Sequence, residues 1–242
     1  MADASDSKSD VGNNVRVQVP PPGPKVVSSI MNCLIILGTG RMGKSTLARI
    51  VAKKHGCNVV HLDCLVDAFE HTMPEVGIAH NPRIGNAKLQ TNKNAKDAFA
   101  KFLVDYVDCM LEYGNLVVEG SYLSVQSVVE YFNIERFRIV VLGTPALNTE
   151  QSFNAMRHHD TEDEWTYYCN DKTLLERAQR NIERSKQLFN QAQSLGVQTL
   201  DTSDARNKIF RVFAKSLSFN KYKGASEKRK SGLKNYVENV IN

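Results

Sequence analysis

The chain has 242 residues, and its 31 lysines and arginines against 26 aspartates and glutamates give a formal net charge of +5. No apolar run approaches the roughly 20 residues that a membrane span needs, and the first residues lack the basic segment and apolar stretch of a secretory signal. We therefore expect neither a membrane protein nor a secreted one. Five cysteines are scattered without a C-x-x-C pair, which predicts free thiols in a reducing compartment, by default the cytoplasm.

The two ends differ in composition from the middle of the chain. Residues 1–29 are rich in Ser, Asp, Asn and Pro, which predicts a disordered arm that closes in a stiff polyproline stretch. Residues 220–242 contain six lysines and arginines but only two glutamates, which predicts a basic, flexible tail. Such a tail either keeps the protein in solution or holds nucleic acid or another acidic partner. A single domain is expected between the two ends, over 30–219.

A glycine-rich stretch stands between the first predicted strand, 33–37, and a helix predicted from Lys44 to about His55. It reads G-x-x-x-x-G-K-S-T and consists of Gly38, Thr39, Gly40, Arg41, Met42, Gly43, Lys44, Ser45 and Thr46. This is a phosphate-binding loop in the strand–loop–helix setting that its mechanism requires, since backbone N–H groups and the helix N-terminus both attract an anion. We expect Lys44 to reach the β- and γ-phosphates of a nucleoside triphosphate and the Ser45 hydroxyl to bind Mg²⁺.

The second predicted strand, 58–62, terminates at Asp63. Ligands of open α/β sheets bind beyond the carboxyl ends of the strands, so we expect Asp63 to face the phosphate loop. There its carboxylate would accept the proton of an attacking hydroxyl or hold a metal through water. Alternatively, Asp63 caps a helix, and the two roles are compatible.

The next segment, 70–93, is polar and interrupted by prolines and glycines. This composition predicts a long irregular segment of the kind that forms lids and binding loops. Its one arginine, Arg83, either clamps an anionic acceptor or is an ordinary surface residue. A strongly helical pattern then runs from Ala95 to about residue 111.

The third predicted strand, 116–118, ends in Glu119 and Gly120. An acid at the end of an apolar strand supplies the second half of a phosphate-loop site, where it holds Mg²⁺, usually through water. Ser45 and Glu119 are therefore the expected metal site.

The second half of the domain alternates helices and strands. The predicted elements are a helix at 122–132, a strand at 137–142, a short helix capped by Asn148 or Thr149, a long helix opened by a capping box at 173–176, a strand at 197–200 and a last helix capped by 201–204.

A dense polar stretch follows the short helix. We expect a mobile lid near 157–171, with Arg157 neutralising charge on the transferring phosphoryl group. Paired histidines beside acids also suggest zinc, but no H-x-x-x-H spacing is present, which disfavours that interpretation. On the long helix, Arg177, Arg180 and Arg184 form a stripe that either reaches phosphates or pairs with glutamates on a solvated face.

These motifs, in this order, resemble the nucleoside-monophosphate-kinase superfamily of P-loop NTPases, which includes adenylate, shikimate and gluconate kinases, chloramphenicol phosphotransferase and polynucleotide 5′-kinases. The stretch from 185 to 203 also resembles small uncharacterised bacterial-type P-loop kinases. The resemblance covers about residues 30–219 and implies an α/β fold, a five-stranded parallel sheet of order 2-3-1-4-5 with helices on both faces. It implies MgATP as the phosphoryl donor. It also places Asp63 where sugar and small-alcohol kinases keep the base, Arg157 in the lid and the turn 201–203 near the adenine.

One departure from the family pattern bears on the acceptor. Where nucleoside-monophosphate kinases show D-G-F/Y-P-R, this chain reads E-G-S-Y-L at 119–123, which favours an alcohol over a nucleotide. The absence of N-K-x-D disfavours a GTPase. The sequence thus predicts an ATP-dependent phosphotransferase that moves the γ-phosphoryl group to a hydroxyl or phosphate of a small molecule held by Asp63 and Arg83. The alternatives are a polynucleotide 5′-end kinase that uses the basic tail and a non-enzymatic ATP-binding module that recruits partners.

Overall fold

The computed structural model describes residues 31–80, 83–84, 87–88, 93–132, 136–162 and 164–221, with the backbone alone at 83–84, 87–88 and 93. The predicted arm, 1–29, and the tail from 222 onward lie outside the described residues. The elements are β1 (Cys33–Gly38), α1 (Lys44–His55), β2 (Asn58–His61), α2 (Leu62–Thr72), a 3-10 turn (Pro74–Val76), β3 (Arg83–Ile84), β4 (Ala87–Lys88), α3 (Lys93–Met110), β5 (Leu116–Gly120), α4 (Val125–Tyr131), β6 (Phe137–Gly143), α5 (Thr149–His158), α6 (Asp171–Ser194), β7 (Gln198–Asp201) and α7 (Arg206–Ser216). None of these helices combines the length and the apolar character that crossing a membrane requires.

Five strands form one parallel sheet in the spatial order β2-β5-β1-β6-β7. Numbered along the chain, these strands give the order 2-3-1-4-5, so the predicted α/β fold is confirmed. The phosphate loop follows the central strand, as the resemblance to P-loop kinases implies. The two-residue strands β3 and β4 pair separately as an antiparallel ribbon.

Helices cover both faces of the sheet, because the side chains of each strand alternate between two cores. In β1, Leu34 and Ile36 pack with apolar residues of α1 and α7. Ile35 and Leu37 point the other way and pack with residues of α2, α3, α4 and α6.

The second strand and the segment after it differ from the expectation. β2 ends at His61 and α2 begins at the next residue, so Asp63 lies in the first turn of a helix whose N-cap is His61. The predicted irregular segment, 70–93, includes the end of α2, a 3-10 turn and the β3–β4 ribbon. Leu62 and Val66 are both buried, and their i, i+4 spacing is the helical signal that the strand prediction overlooked.

Two predicted helix starts are wrong, and one is confirmed. The predicted capping box at 173–176 lies inside α6, because Asn170 is the N-cap and its Oδ1 accepts a hydrogen bond of 2.9 Å from the backbone N–H of Thr173. The polar run 201–204 provides no cap to α7. Asp201 instead accepts hydrogen bonds from Ser203, which closes a turn in the loop. The predicted cap at Asn148 is confirmed and forms a capping box.

Candidate active site

The phosphate loop lies at the carboxyl end of β1. Gly43, the residue before α1, has a φ of 85°, and a Cβ at this position would lie 2.9 Å from the Phe210 ring. Only glycine satisfies both constraints without strain. No side chain caps α1, so the first backbone N–H groups of this helix are available to an anion.

Lys44 is buried at the start of α1, with 7% of its surface exposed. Its Nζ donates a hydrogen bond of 2.9 Å to the carbonyl oxygen of Thr39, which fixes the ammonium over the loop. Burial lowers the pKa of Lys44, while the carboxylates of Glu119 and Asp63 act in the opposite direction. The structure therefore brings three of the predicted site residues within electrostatic reach of one another.

Glu119 is buried in β5 and connects the loop to the neighbouring strand. Its Oε1 accepts a hydrogen bond of 2.9 Å from the Ser45 hydroxyl and lies 2.6 Å from Nδ1 of His61. The strand register produces this arrangement, because Glu119 stands beside Ile36 of β1 and beside His61 of β2. His61 is a site residue that was not predicted from the sequence. The signal that could have identified it is its position at the end of the second strand.

The loop and its acid suit a nucleotide and Mg²⁺. Thr39 Oγ1 is buried and has no hydrogen-bond partner among the described residues, and a Cβ on Gly40 would meet no atom within 4 Å, so open space borders the loop. The hydroxyl of Ser45 and the carboxylate of Glu119 are the hard oxygen donors that Mg²⁺ prefers. Within the described ranges, no group of three or more His, Cys, Asp or Glu side chains is assembled for a metal. The protein would thus supply one or two ligands, with phosphates and water as the rest.

Asp63 lies on the exposed side of this site. Its carboxylate is 53% exposed, and its Oδ1 lies 3.7 Å from Nε2 of His80. Asp67, one helical turn later, lies at a similar distance of 3.8 Å from the same nitrogen. His80 therefore stands opposite two carboxylates of α2 without a close hydrogen bond to either.

A small cavity opens beside His80. It has a volume of about 140 Å³ and is lined by Ala79, His80, Lys96, Ser121, Tyr122 and Arg184. Burial lowers the pKa of Lys96, and the nearby charge of Arg184 lowers it further. No sequence signal pointed to Lys96, since its place on α3 was that of a solvated face.

Arg41 ties the phosphate loop to the segment after α5. It has a left-handed φ of 66°, and its guanidinium forms ion pairs with Asp160 at 2.9 Å and with Glu164 at 2.6 Å. It also donates to the carbonyl of His159 at 3.0 Å. Arg41 therefore bonds the predicted lid directly to the phosphate loop. It occupies one of the four positions of the loop motif at which any residue is allowed.

Arg157 is bonded within the predicted lid. Its guanidinium donates to Asp171 at 2.7 Å, to the carbonyl oxygens of Cys169 and Thr166 at 2.7 and 3.2 Å, and to Asp160 at 3.3 Å. Contact with a phosphoryl group stays a prediction, and it requires that some of these bonds be exchanged.

The other arginines that the sequence pointed to, three on α6 and one at position 83, lie in different surroundings. Arg177 stacks on the Trp165 ring at 5.4 Å, and Arg180 donates to the carbonyl of Glu176 at 3.2 Å. Arg184 lines the cavity, and its charge lowers the pKa of Lys44. The side chain of Arg83 lies outside the described residues.

Comparisons with known proteins return solved structures alone. A scan against protein-family models and a search of the curated proteins found no match. Shikimate kinase from Bacteroides thetaiotaomicron is similar with 15% identity and a TM-score of 0.47, over 76% of this chain and 96% of that chain. A gluconokinase from Sinorhizobium meliloti is similar with 15% identity and a TM-score of 0.45, over 88% and 97%. Deoxyadenosine kinase from M. mycoides is similar with 10% identity and a TM-score of 0.40, over 76% and 97%. At these levels of similarity, the activity of this chain has to be argued from its own residues.

Proposed function

We propose that this protein is an ATP-dependent phosphotransferase that moves the γ-phosphoryl group of MgATP to a hydroxyl of a small-molecule acceptor. The observation that carries the proposal is the buried ammonium of Lys44, bonded to the Thr39 carbonyl at the loop and within electrostatic reach of Glu119, the acid bonded to Ser45, and of the more exposed Asp63. The residues that we propose for the phosphates, for Mg²⁺ and for the base thus lie at the same edge of the sheet.

The donor side supplies charge stabilisation. The backbone N–H groups of the loop and the Lys44 ammonium would hold the phosphates, and Ser45 with Glu119 would hold Mg²⁺. When bound, Mg²⁺ neutralises negative charge that develops on the phosphates. Since Lys44 is already fixed by its bond to Thr39, little reorganisation is needed at the moment of transfer.

The acceptor side supplies the base. In the proposed step, the acceptor hydroxyl gives its proton to Asp63, its oxygen forms a bond to the γ-phosphorus, and the bond from that phosphorus to the β-phosphate bridging oxygen breaks. Phosphorylated acceptor and ADP leave. The exposed position of Asp63 supports this role, because a carboxylate must be reachable to take a proton from substrate. Arg157 and Arg83 remain predicted contacts to the transferring group and the acceptor.

The test is acceptor-dependent release of ADP by the full chain, measured over sugars, small alcohols, hydroxy acids, nucleosides, nucleotides and 5′-hydroxyl oligonucleotides. Wild type is compared with Lys44→Ala and with Lys53→Ala, which removes an exposed lysine from the last turn of the same helix. We expect one acceptor class to stimulate turnover, and Lys44→Ala to lower it by about 10²–10³-fold. Stimulation by oligonucleotides alone would support the end-kinase alternative. ATP binding without stimulation by any acceptor would overturn the proposal in favour of a binding module.

A further inference from the structure

The cavity beside His80 has an unusual charge balance. Its lining includes Lys96 and Arg184 but no aspartate or glutamate. Neither cation forms an ion pair or a hydrogen bond with another described residue, whereas Arg41 and Arg157 each have two carboxylate partners. Two basic side chains therefore border one small space that has no acidic side chain in its lining.

The fold fixes both cations in place. Lys96 extends from α3 with its Nζ 5.7 Å from the centre of the Tyr122 ring, and that ring is packed edge-on against Phe99 at 5.1 Å and His80 at 5.9 Å. Arg184 belongs to α6, which is anchored to the phosphate loop where Asn181 donates to the carbonyl of Gly40 at 3.2 Å. The two charges thus belong to rigid elements and are not brought together by a surface loop.

Like charges held near each other are costly unless an anion joins them. The lowered pKa of Lys96 reflects this cost, since burial and the charge of Arg184 both disfavour its ammonium form. Arg184 exerts the same effect on Lys44 in the phosphate loop. The cavity is therefore electrostatically continuous with the phosphate site, and an anion bound in it would relieve repulsion on both sides.

The volume of the cavity limits the size of the chemical group that can enter it. A volume of about 140 Å³ is close to the roughly 150 Å³ that accepts one benzene molecule in an engineered cavity, so it suits a group of about six non-hydrogen atoms. A carboxylate or phosphate with a few carbons fits this volume.

We propose that Lys96 and Arg184 form an anion subsite that holds a carboxylate or phosphate of the acceptor, so that the substrate is a small anionic alcohol. This inference rests on the proposed phosphotransfer, because it identifies the cavity with the acceptor site. His80 connects the two parts, since it lines the cavity and its Nε2 lies 3.7 Å from Asp63 Oδ1. An acceptor anchored by its anion would present its hydroxyl towards Asp63 and the transferring phosphoryl group.

The test measures anion binding separately from turnover. The full chain is saturated with Mg²⁺ and a non-hydrolysable ATP analogue, which fills the phosphate loop, and is titrated calorimetrically with orthophosphate and, in a second arm, with malonate. We expect binding in the millimolar range, weakened about tenfold or more by Lys96→Gln and by Arg184→Gln. The anion that binds more tightly, orthophosphate or malonate, indicates whether the subsite prefers a phosphate or a carboxylate.

Control variants come from the same two helices. Lys101→Gln on α3 and Arg180→Gln on α6 remove a positive charge away from the cavity lining, and we expect them to bind both anions as wild type does. Lys96→Arg and Arg184→Lys keep the charge and should retain binding, which distinguishes lost charge from lost folding. The subsite would be overturned if neither anion bound. It would also be overturned if Lys96→Gln and Arg184→Gln bound both anions as tightly as Lys101→Gln and Arg180→Gln do.

Failure of the anion subsite and failure of the proposed phosphotransfer would give different results. Asp63→Asn should abolish turnover while leaving anion binding intact. If no acceptor stimulates turnover but the two anions still depend on Lys96 and Arg184, the subsite stands and the phosphotransfer fails. If the analogue itself does not bind, the same titrations on the free protein and the same variants decide the question.

Discussion

The two sides of the candidate cleft are held together in different ways. On the donor side, Lys44 donates to the Thr39 carbonyl at 2.9 Å, and Glu119 contacts Ser45 at 2.9 Å and His61 at 2.6 Å. Both Lys44 and Glu119 are buried. On the side that we propose for the acceptor, the shortest contact of Asp63 with His80 is 3.7 Å. Lys96 and Arg184 have no ion-pair partner among the described residues. The donor side is preorganised by the protein, whereas the side that we propose for the acceptor leaves its charged groups without close partners among the described residues.

The first comparison is between two partners on the donor side, and Glu119 should have the larger effect of the two. Glu119→Gln removes the carboxylate that Ser45 and His61 contact, and we expect turnover to fall by about 10²-fold with a higher Mg²⁺ requirement. His61→Gln removes only a group that orients this carboxylate, so we expect a smaller loss of about tenfold. Steady-state rates as a function of Mg²⁺ concentration check both. An unchanged Mg²⁺ requirement in Glu119→Gln would remove Glu119 from the metal site.

A second comparison concerns ion pairs at different depths. Arg41 and Asp160 are 9% and 5% exposed, whereas Arg136 and Asp108 form a pair of similar length at the surface, 55% and 44% exposed. We expect Arg41→Gln to lower the free energy of unfolding by about 1–3 kcal/mol, because a buried carboxylate loses a partner. Arg136→Gln should change it by about 0.5 kcal/mol or less. Urea denaturation measures both, and equal losses would show that burial adds nothing to the bond between loop and lid.

The smallest expected effect on the free energy of unfolding concerns the start of α6, where the observed N-cap differs from the predicted one. Asn170→Ala removes the N-cap of α6 and should cost about 1 kcal/mol of unfolding free energy. Thr173→Ala changes the predicted cap, whose hydroxyl caps nothing in the structure. Because alanine has the higher helix propensity, we expect the free energy of unfolding to stay the same or to rise by a few tenths of a kcal/mol. The same denaturation experiment ranks the two, and the reverse order would restore the predicted capping box.

Prediction from sequence succeeded where the signal is local. The phosphate-loop motif, the strand that precedes it and the strand that ends at Glu119 are each encoded in a few consecutive residues. The strand order was predicted from the family resemblance that these motifs carry. Asp63 lies at the expected edge of the sheet although it belongs to a helix, because α2 begins directly at the carboxyl end of β2 in either case.

Prediction failed where the signal depends on tertiary contacts. His61 meets Glu119 only because β2 and β5 are neighbours in register. Lys96 and Arg184 are more than 80 residues apart in the chain, and nothing in either helix indicates that they share a cavity. The bonds from Arg41 to the lid likewise require the packing of α5 and α6 beside the loop.

The most direct test of the central claim compares two neighbouring carboxylates. Asp63 and Asp67 lie one turn apart on α2, with similar exposure and similar distances to His80. With the acceptor identified by the ADP-release assay, we predict that Asp63→Asn lowers turnover by about 10²–10⁴-fold without changing affinity for the ATP analogue. Asp67→Asn should keep nearly the wild-type rate. A wild-type rate in Asp63→Asn, or an equal loss in both variants, would contradict Asp63 as the base and with it the acceptor side proposed for this cleft.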